Sequence, residues 1–326
     1  MKKVIIDCDP GIDDALAIIF ALKSGIIKIE AITTVAGNTS LLNSTKNALK
    51  VLELINMRSV PVYMGAETPL IGEIYNSEEV HGKNGLAGLD GKAPQQTPQD
   101  AHALDFLSSY FTTNKQDTSL IALGPLTNLA NLSLKFPKVL SNIKELIIMG
   151  GAIHIVGNIS PQAEFNIFCD PKAADLVFKS NIQNITLVPL DVTRKVIFTP
   201  DHLQTISDAK IKNRELKKFL IDSLEFYQSY CIKNSKLKGC PLHDPLAIGE
   251  CIDPTFTEKK DLILKVIDEE MNYKSARNQN KNLTRGKMIL RSEFPHLFSG
   301  NRPKIRTCLK VDSHRFLKYF TKTLTS

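Results

Sequence analysis

The chain has no apolar run approaching the roughly 18 residues a membrane-spanning helix needs, so no such span is predicted. It has no Cys-x-x-Cys pair. Its six cysteines (Cys8, Cys169, Cys231, Cys240, Cys251 and Cys308) are scattered, which indicates neither a zinc site nor a disulfide framework; most are predicted to be buried thiols. No internal repeat and no Pro- or Ser-rich linker divides the 326 residues, so residues 1–326 read as one large domain. The start, Met1-Lys2-Lys3-Val4-Ile5-Ile6, is too soon interrupted by Asp7 and Asp9 to be a secretory signal, and a cytoplasmic protein is expected. The net charge of +7 is concentrated late: residues 201–326 carry 24 Lys and Arg against 15 Asp and Glu. No zinc-finger spacing or RNA-recognition motif accompanies these charges. They are dispersed through helix-like stretches such as residues 210–218, where a solvated face is the simpler account than nucleic-acid binding.

What is present lies mainly at the N-terminus. Val4-Ile5-Ile6-Asp7-Cys8-Asp9-Pro10-Gly11-Ile12-Asp13-Asp14 places four carboxylates within eight residues, after a β-branched run and before an apolar periodic one. Read as strand, Pro-Gly turn and helix, the pattern sets those carboxylates at the C-terminal end of a first strand. Open α/β sheets bind ligands at that edge. Four like charges there repel one another and raise each other's pKa unless a cation neutralises them. Hard oxygen donors suit calcium or magnesium rather than zinc. A solvated acidic loop with a helix N-cap is the bland alternative.

Strand-like and helical patterns alternate through the first two-thirds of the chain. Strands are predicted at residues 4–7, 29–35, 60–63, 119–123, 146–149 and 185–190, with helices near 13–24, 41–55, 100–111, from 126, and 171–179. Alternation of this kind predicts right-handed βαβ units: an α/β fold with a central, mostly parallel sheet flanked by helices and an active site at the C-terminal strand ends. Residues 66–99 are too long for an ordinary loop and are expected to be functional or mobile. Residues 213–234 read as a long helix, 262–267, 287–291 and 304–311 as further strands, and a last helix starts at Ser313.

Polar residues recur at the ends of these strands: Gly37-Asn38, Gly124-Pro125-Leu126-Thr127-Asn128, Met149-Gly150-Gly151 leading to Gly157-Asn158 and Glu164-Phe165-Asn166, and later His243-Asp244-Pro245. Each is weak alone, since Asn at a turn is usually a backbone cap. Together they describe a pocket for a polyhydroxyl ligand around a cation.

Asp7-Cys8-Asp9-Pro10-Gly11-Ile12-Asp13-Asp14, Gly37-Asn38, His81-Gly82-Lys83-Asn84-Gly85-Leu86, Gly157-Asn158, Ala163-Glu164-Phe165-Asn166 and His243-Asp244-Pro245 resemble the inosine–uridine-preferring nucleoside hydrolases, in order over almost the whole chain. Ala87 stands where that pattern usually has glycine, and residues 268–282 and 293–300 look like late insertions. The resemblance implies hydrolysis of the N-glycosidic bond of a ribonucleoside. It implies Ca²⁺ held by Asp9, Asp14, Asp244 and the backbone carbonyl of Leu123, with Asp9 as the base that activates water and Asp7 as support for the cluster. It places Asp13 and Asn166 on the ribose hydroxyls, Asn158 and Glu164 on the 5′-hydroxyl, and Asn38 in the same shell. His243, whose imidazole is partly protonated near neutrality when unperturbed, is the expected acid for the departing base, with His81 a further contact to that base. Either histidine could instead serve only packing. Tyr227, Gln228 and Tyr230 are candidates to meet the base, with purine and pyrimidine both open. The partner implied is a small ribonucleoside, with no nucleic acid or membrane, and self-association as a dimer or tetramer.

Two other readings compete. A haloacid-dehalogenase-like phosphohydrolase also opens with strand-Asp-x-Asp, but Pro10-Gly11-Ile12-Asp13-Asp14 does not match its continuation. A non-catalytic nucleoside- or ribose-binding module would keep the pocket, though it would have no need of Asp9 as a base.

Overall fold

A computed structural model describes residues 1–87, 93–268 and 284–326. Of the predicted insertion at 268–282, all but Asp268 lies outside the described residues, as do parts of the 66–99 segment.

The first half alternates as its sequence pattern demands. Strand β1 (Lys2–Cys8) leads to helix α1 (Ile12–Lys23), β2 (Ile27–Thr34) to α2 (Leu41–Leu54), and β3 (Val62–Met64) to a short α3 (Glu78–His81) and α4 (Ala103–Thr113). Then come β4 (Ser119–Ala122), α5 (Thr127–Lys135), β5 (Leu146–Met149), α6 (Phe165–Cys169), α7 (Pro171–Phe178) and β6 (Ile185–Val188). The second half holds α8 (Leu190–Thr193), β7 (Ile197–Phe198), α9 (Pro200–Asp208), α10 (Arg214–Ser235), β8 (Cys240–Pro241) and α11 (His243–Ile252). It closes with β9 (Thr257–Leu262), β10 (Leu264–Val266), β11 (Met288–Leu290), β12 (Ile305–Val311) and α12 (Ser313–Thr325).

Eight strands form one sheet in the order β3-β2-β1-β4-β5-β6-β12-β9, parallel throughout except for the antiparallel edge pair β12–β9. The central strands β4, β5 and β6 are buried along their whole length, which is why they read as unbroken apolar runs rather than alternating ones. One core layer packs α1 against α10, α11 and α12; the other packs α4, α5 and α7 on the opposite face. The antiparallel pair β10–β11 is tied to α7 through Asp175, which accepts the Val266 N–H at 3.1 Å, and Arg302 bridges the two by donating to both Asp175 carboxylate oxygens at 2.8 and 3.0 Å and to the Leu264 carbonyl at 3.0 Å. All six cysteines are free and buried, as their scatter predicts.

Ala87 adopts a left-handed backbone, φ +59°, so the alanine there sits in the conformation glycine tolerates best. No described helix is long and apolar enough to cross a membrane.

Candidate active site

At the end of β1, Asp9-Pro10-Gly11 turns the chain directly into α1. Asp14, in the first helical turn, accepts the otherwise orphaned N–H groups of Asp9 at 3.3 Å and Gly11 at 3.0 Å. Asn38, at the end of β2, donates its side-chain amide to Asp14 at 3.1 Å and its backbone N–H to Asp9 Oδ2 at 2.6 Å. The other oxygen of Asp9 is buried without a hydrogen-bond partner. Glycines enclose this carboxylate because nothing larger fits: a Cβ on Gly37 would lie 2.0 Å from Oδ2, and one on Gly124 2.6 Å from Oδ1.

Carboxylate oxygens of Asp13, Asp14 and Asp244 lie within 4.8 Å of one another, all three residues buried. The grouping differs from the ligand set implied by resemblance in containing Asp13, while Asp9 sits beside it, hydrogen-bonded through its N–H to Asp14. Burial is the main cause that raises every member. It lifts Asp13 and Asp14 to about 6, Asp13 being pulled back by His81 and Asp14 by the Gly11 N–H, and raises Asp9 and Asp244 well above the usual carboxylate range, where neighbouring aspartates add to the effect. Asp7 is also raised to about 6, by burial against the opposing hydrogen bonds from Thr33 and Asn128. Buried carboxylates this crowded are what a hard divalent cation stabilises.

Above the cluster opens a cleft of about 680 Å³ at the C-terminal strand ends. Asp13, Asn38, His81, Leu123 and Asn158 line it, and so do Glu164, Asn166, His243 and Asp244. Asp9 and Asp14 lie fully buried. The Leu123 carbonyl accepts from the Asn166 side-chain amide at 2.7 Å. Glu164 caps α6 and accepts the N–H groups of Asn166 and Gly151, both at 2.9 Å, and of Ile167 at 3.1 Å. Asn158 accepts the Phe165 N–H at 2.9 Å, so the 5′-hydroxyl candidates share one folded turn.

His81 ends α3 and is buried; its Nδ1 accepts the N–H of Ile12 at 3.1 Å and its Nε2 lies 3.9 Å from Asp13 Oδ1. His243 Nδ1 lies 2.7 Å from the Thr193 hydroxyl. Burial first, then the charge of Arg194 and of His81, push the His243 imidazole down to about 3. Near neutrality this favours the neutral imidazole over the partly protonated one of an unperturbed histidine.

The aromatic candidates divide. Tyr227 and Tyr230 line the cleft together with Cys231, positions i, i+3 and i+4 of α10, whereas Gln228 is turned away and donates to the Phe198 carbonyl at 2.9 Å. Residues the sequence reading missed include Thr193 and Arg194, at the end of the short α8 that follows β6. Polar residues at a strand's C-terminal end were the available signal. Asn47 was also missed: from the middle of α2 it donates to the carbonyls of Pro10 at 2.9 Å and Asn84 at 2.6 Å, pinning the acidic turn to the 81–87 loop.

An open parallel sheet with a polar, carboxylate-floored cleft at its strand ends defines an α/β enzyme for a small hydroxylated substrate. Comparison with known proteins narrows that class. The family model described as inosine-uridine preferring nucleoside hydrolase matches residues 4–318. The chain is 33% identical over 324 residues to the pyrimidine-specific ribonucleoside hydrolase RihA of Klebsiella pneumoniae, covering 98% of this chain and 97% of that one. It is 37% identical over 263 residues to a probable uridine nucleosidase 1 of Oryza sativa, covering 80% of each. Among solved structures, a plant nucleoside hydrolase, PpNRh1, superposes with a TM-score of 0.89 at 30% identity, covering 100% of this chain and 99% of that one. The chain belongs to the inosine–uridine preferring nucleoside hydrolase family, and it is a ribonucleoside hydrolase.

Proposed function

We propose that the cleft binds a ribonucleoside by its sugar hydroxyls over a Ca²⁺ ion, that Asp9 takes a proton from the attacking water, and that His243 assists departure of the base. The observation that carries this reading is the unpartnered oxygen of Asp9, buried beside three crowded carboxylates under the cleft. A buried carboxylate oxygen with no donor is costly unless a cation or substrate meets it.

The donor set fits a hard divalent ion. It consists of oxygens only, and Asp9 Oδ1 is buried with no hydrogen-bond partner. Asp9, Asp14, Asp244 and the Leu123 carbonyl are the residues that would hold it. Bound there, Ca²⁺ supplies positive charge that keeps the carboxylates ionised, acidifies water and attracts hydroxyl oxygens.

The remaining chemistry belongs to the side chains. Breaking the N-glycosidic bond develops positive charge on the ribosyl ring, which the carboxylate-rich floor favours over the neutral substrate. Asp13 and Asn166 orient the ribose hydroxyls, Asn158 and Glu164 the 5′-hydroxyl, and Asn38 holds Asp9 and Asp14 in place. The Thr193 hydroxyl and His243 Nδ1 are 2.7 Å apart; with the hydroxyl as donor the imidazole proton sits on Nε2, where a neutral N–H can hydrogen-bond the base as negative charge builds on it. His81 and Tyr227 form the wall beside the base. By the same resemblance the active form is a dimer or tetramer.

The names of the sequence relatives make uridine the first substrate to try. Free ribose should appear stoichiometrically with uracil, and exhaustive chelation should abolish turnover until Ca²⁺ is restored. Full activity in metal-free protein would overturn the cation's role; binding of nucleosides without ribose release would overturn the hydrolytic one.

A further inference from the structure

Arg194 follows α8, at the end of the loop that leaves β6, and is half-buried in the cleft wall. Its guanidinium donates from Nη1 to the Val156 carbonyl and from Nη2 to the Gly157 carbonyl, each at 2.7 Å. Those two carbonyls immediately precede Asn158. The turn they belong to is tight: Asn158 N–H bonds the Ala163 carbonyl at 3.1 Å, and a Cβ on Gly157 would lie 1.9 Å from that same oxygen. The turn is not anchored by apolar burial, since Val156 is 63% exposed. Asn158 spends its amide oxygen on the Phe165 N–H at 2.9 Å, so the amide NH₂ is what remains for a ligand.

We propose that Arg194 is a positioning residue for the 5′ end of the substrate: its fork holds the 156–158 turn so that Asn158 is presented to the ribose 5′-hydroxyl. The inference rests on the reading of Asn158 and Glu164 as the 5′-hydroxyl contacts. A guanidinium suits the task because two donors fixed in one plane match two successive carbonyls. A lysine ammonium supplies the charge without the fork. The remaining surface of the guanidinium faces the cleft near His243, so the same side chain links the 5′ end of the pocket to the wall beside the base.

The test is a substrate-by-variant cycle in the Ca²⁺-loaded enzyme. Wild type, Arg194→Lys and Arg194→Gln are each assayed on uridine and on 5′-deoxyuridine, with melting temperature as the check on folding. Wild type should prefer uridine by about tenfold, the scale of one good hydrogen bond. Both variants should lose about tenfold in kcat/KM on uridine and little on 5′-deoxyuridine, so that the preference collapses while the melting temperature holds. Equal losses on the two substrates, or none on either, would overturn the role of Arg194 alone. A wild-type enzyme indifferent to the 5′-hydroxyl would instead overturn the underlying reading of Asn158 and Glu164, and Arg194 with it.

Discussion

His81 Nε2 lies 3.9 Å from Asp13 Oδ1, while Nδ1 of the same ring accepts the N–H of Ile12 at 3.1 Å. One imidazole, from a short helix in the long segment after β3, thus bonds Ile12 and sits beside Asp13 at the start of α1. Asn47 reinforces the link by joining Pro10 to Asn84. The segment that covers the cleft and the turn that carries the carboxylates are therefore one assembly.

His81→Ala should uncouple them. We expect kcat/KM on uridine to fall about 10²-fold, the penalty typical of small misplacements near reacting groups. Cleavage by a non-specific protease around residues 77–87 should accelerate in parallel. Unchanged kinetics and unchanged proteolysis would show that the contact is incidental.

The carboxylates make a prediction about stability and pH. Asp7, Asp13 and Asp14 are raised to about 6 in the folded protein, above their ordinary unfolded value near 3.8. Folding then takes up protons between those values. The stabilisation from these groups is complete below about pH 4 and is lost as pH rises through about 6. A bound cation reverses the preference by favouring the ionised forms. The melting-temperature gap between Ca²⁺-loaded and chelated protein should therefore widen as pH rises from 4 to 7. A constant gap across that range would contradict the account.

The fold was largely legible because parallel strands buried on both faces leave apolar runs that periodicity detects. What escaped detection has physical causes. Strand β9, Thr-Glu-Lys-Lys-Asp-Leu, is an exposed edge, so its charged side chains carry no apolar signal. Helix α11 begins on His243-Asp244-Pro245, where no helix is predicted, although proline is well tolerated in a first helical turn. At the site, DPGxDD announced the acidic cluster but not that Asp13 would stand in the close triad while Asp9 is wedged between Gly37 and Gly124. That depends on how three strand ends converge. The depressed His243 pKa depends likewise on burial and on Arg194, neither of which sequence spacing reveals.

His243 separates leaving-group help from structural support. His243→Ala should cost about 10²–10³-fold on uridine, the scale of losing one donor to developing negative charge, and far less on nitrophenyl riboside, whose leaving group needs no such help. Because the free imidazole is neutral above about pH 3, kcat/KM on uridine should show no decline through pH 6–7 attributable to its deprotonation. Equal losses on both substrates would make His243 a support for Asp244.

Substrate form should be discriminated at both ends of the sugar. The buried Glu164 carboxylate would repel a 5′-phosphate, and 2′-deoxynucleosides lack a hydroxyl for Asp13 and the cation. Uridine should be hydrolysed well, and uridine 5′-monophosphate and 2′-deoxyuridine poorly. Comparable kcat/KM for uridine and its monophosphate would contradict the placement of Glu164.

The most direct measurement of the central claim is ribose release from uridine by Asp9→Asn beside wild type, with bound Ca²⁺ quantified in both. An asparagine oxygen can still accept the Asn38 N–H that Asp9 Oδ2 now accepts at 2.6 Å, so the turn should keep its shape. The account predicts a loss of at least about 10³-fold in kcat, at metal occupancy restored by added Ca²⁺, because the base itself is gone. Near-normal turnover by the Ca²⁺-loaded variant would contradict the assignment of Asp9 and, with it, the mechanism proposed for the acidic cluster.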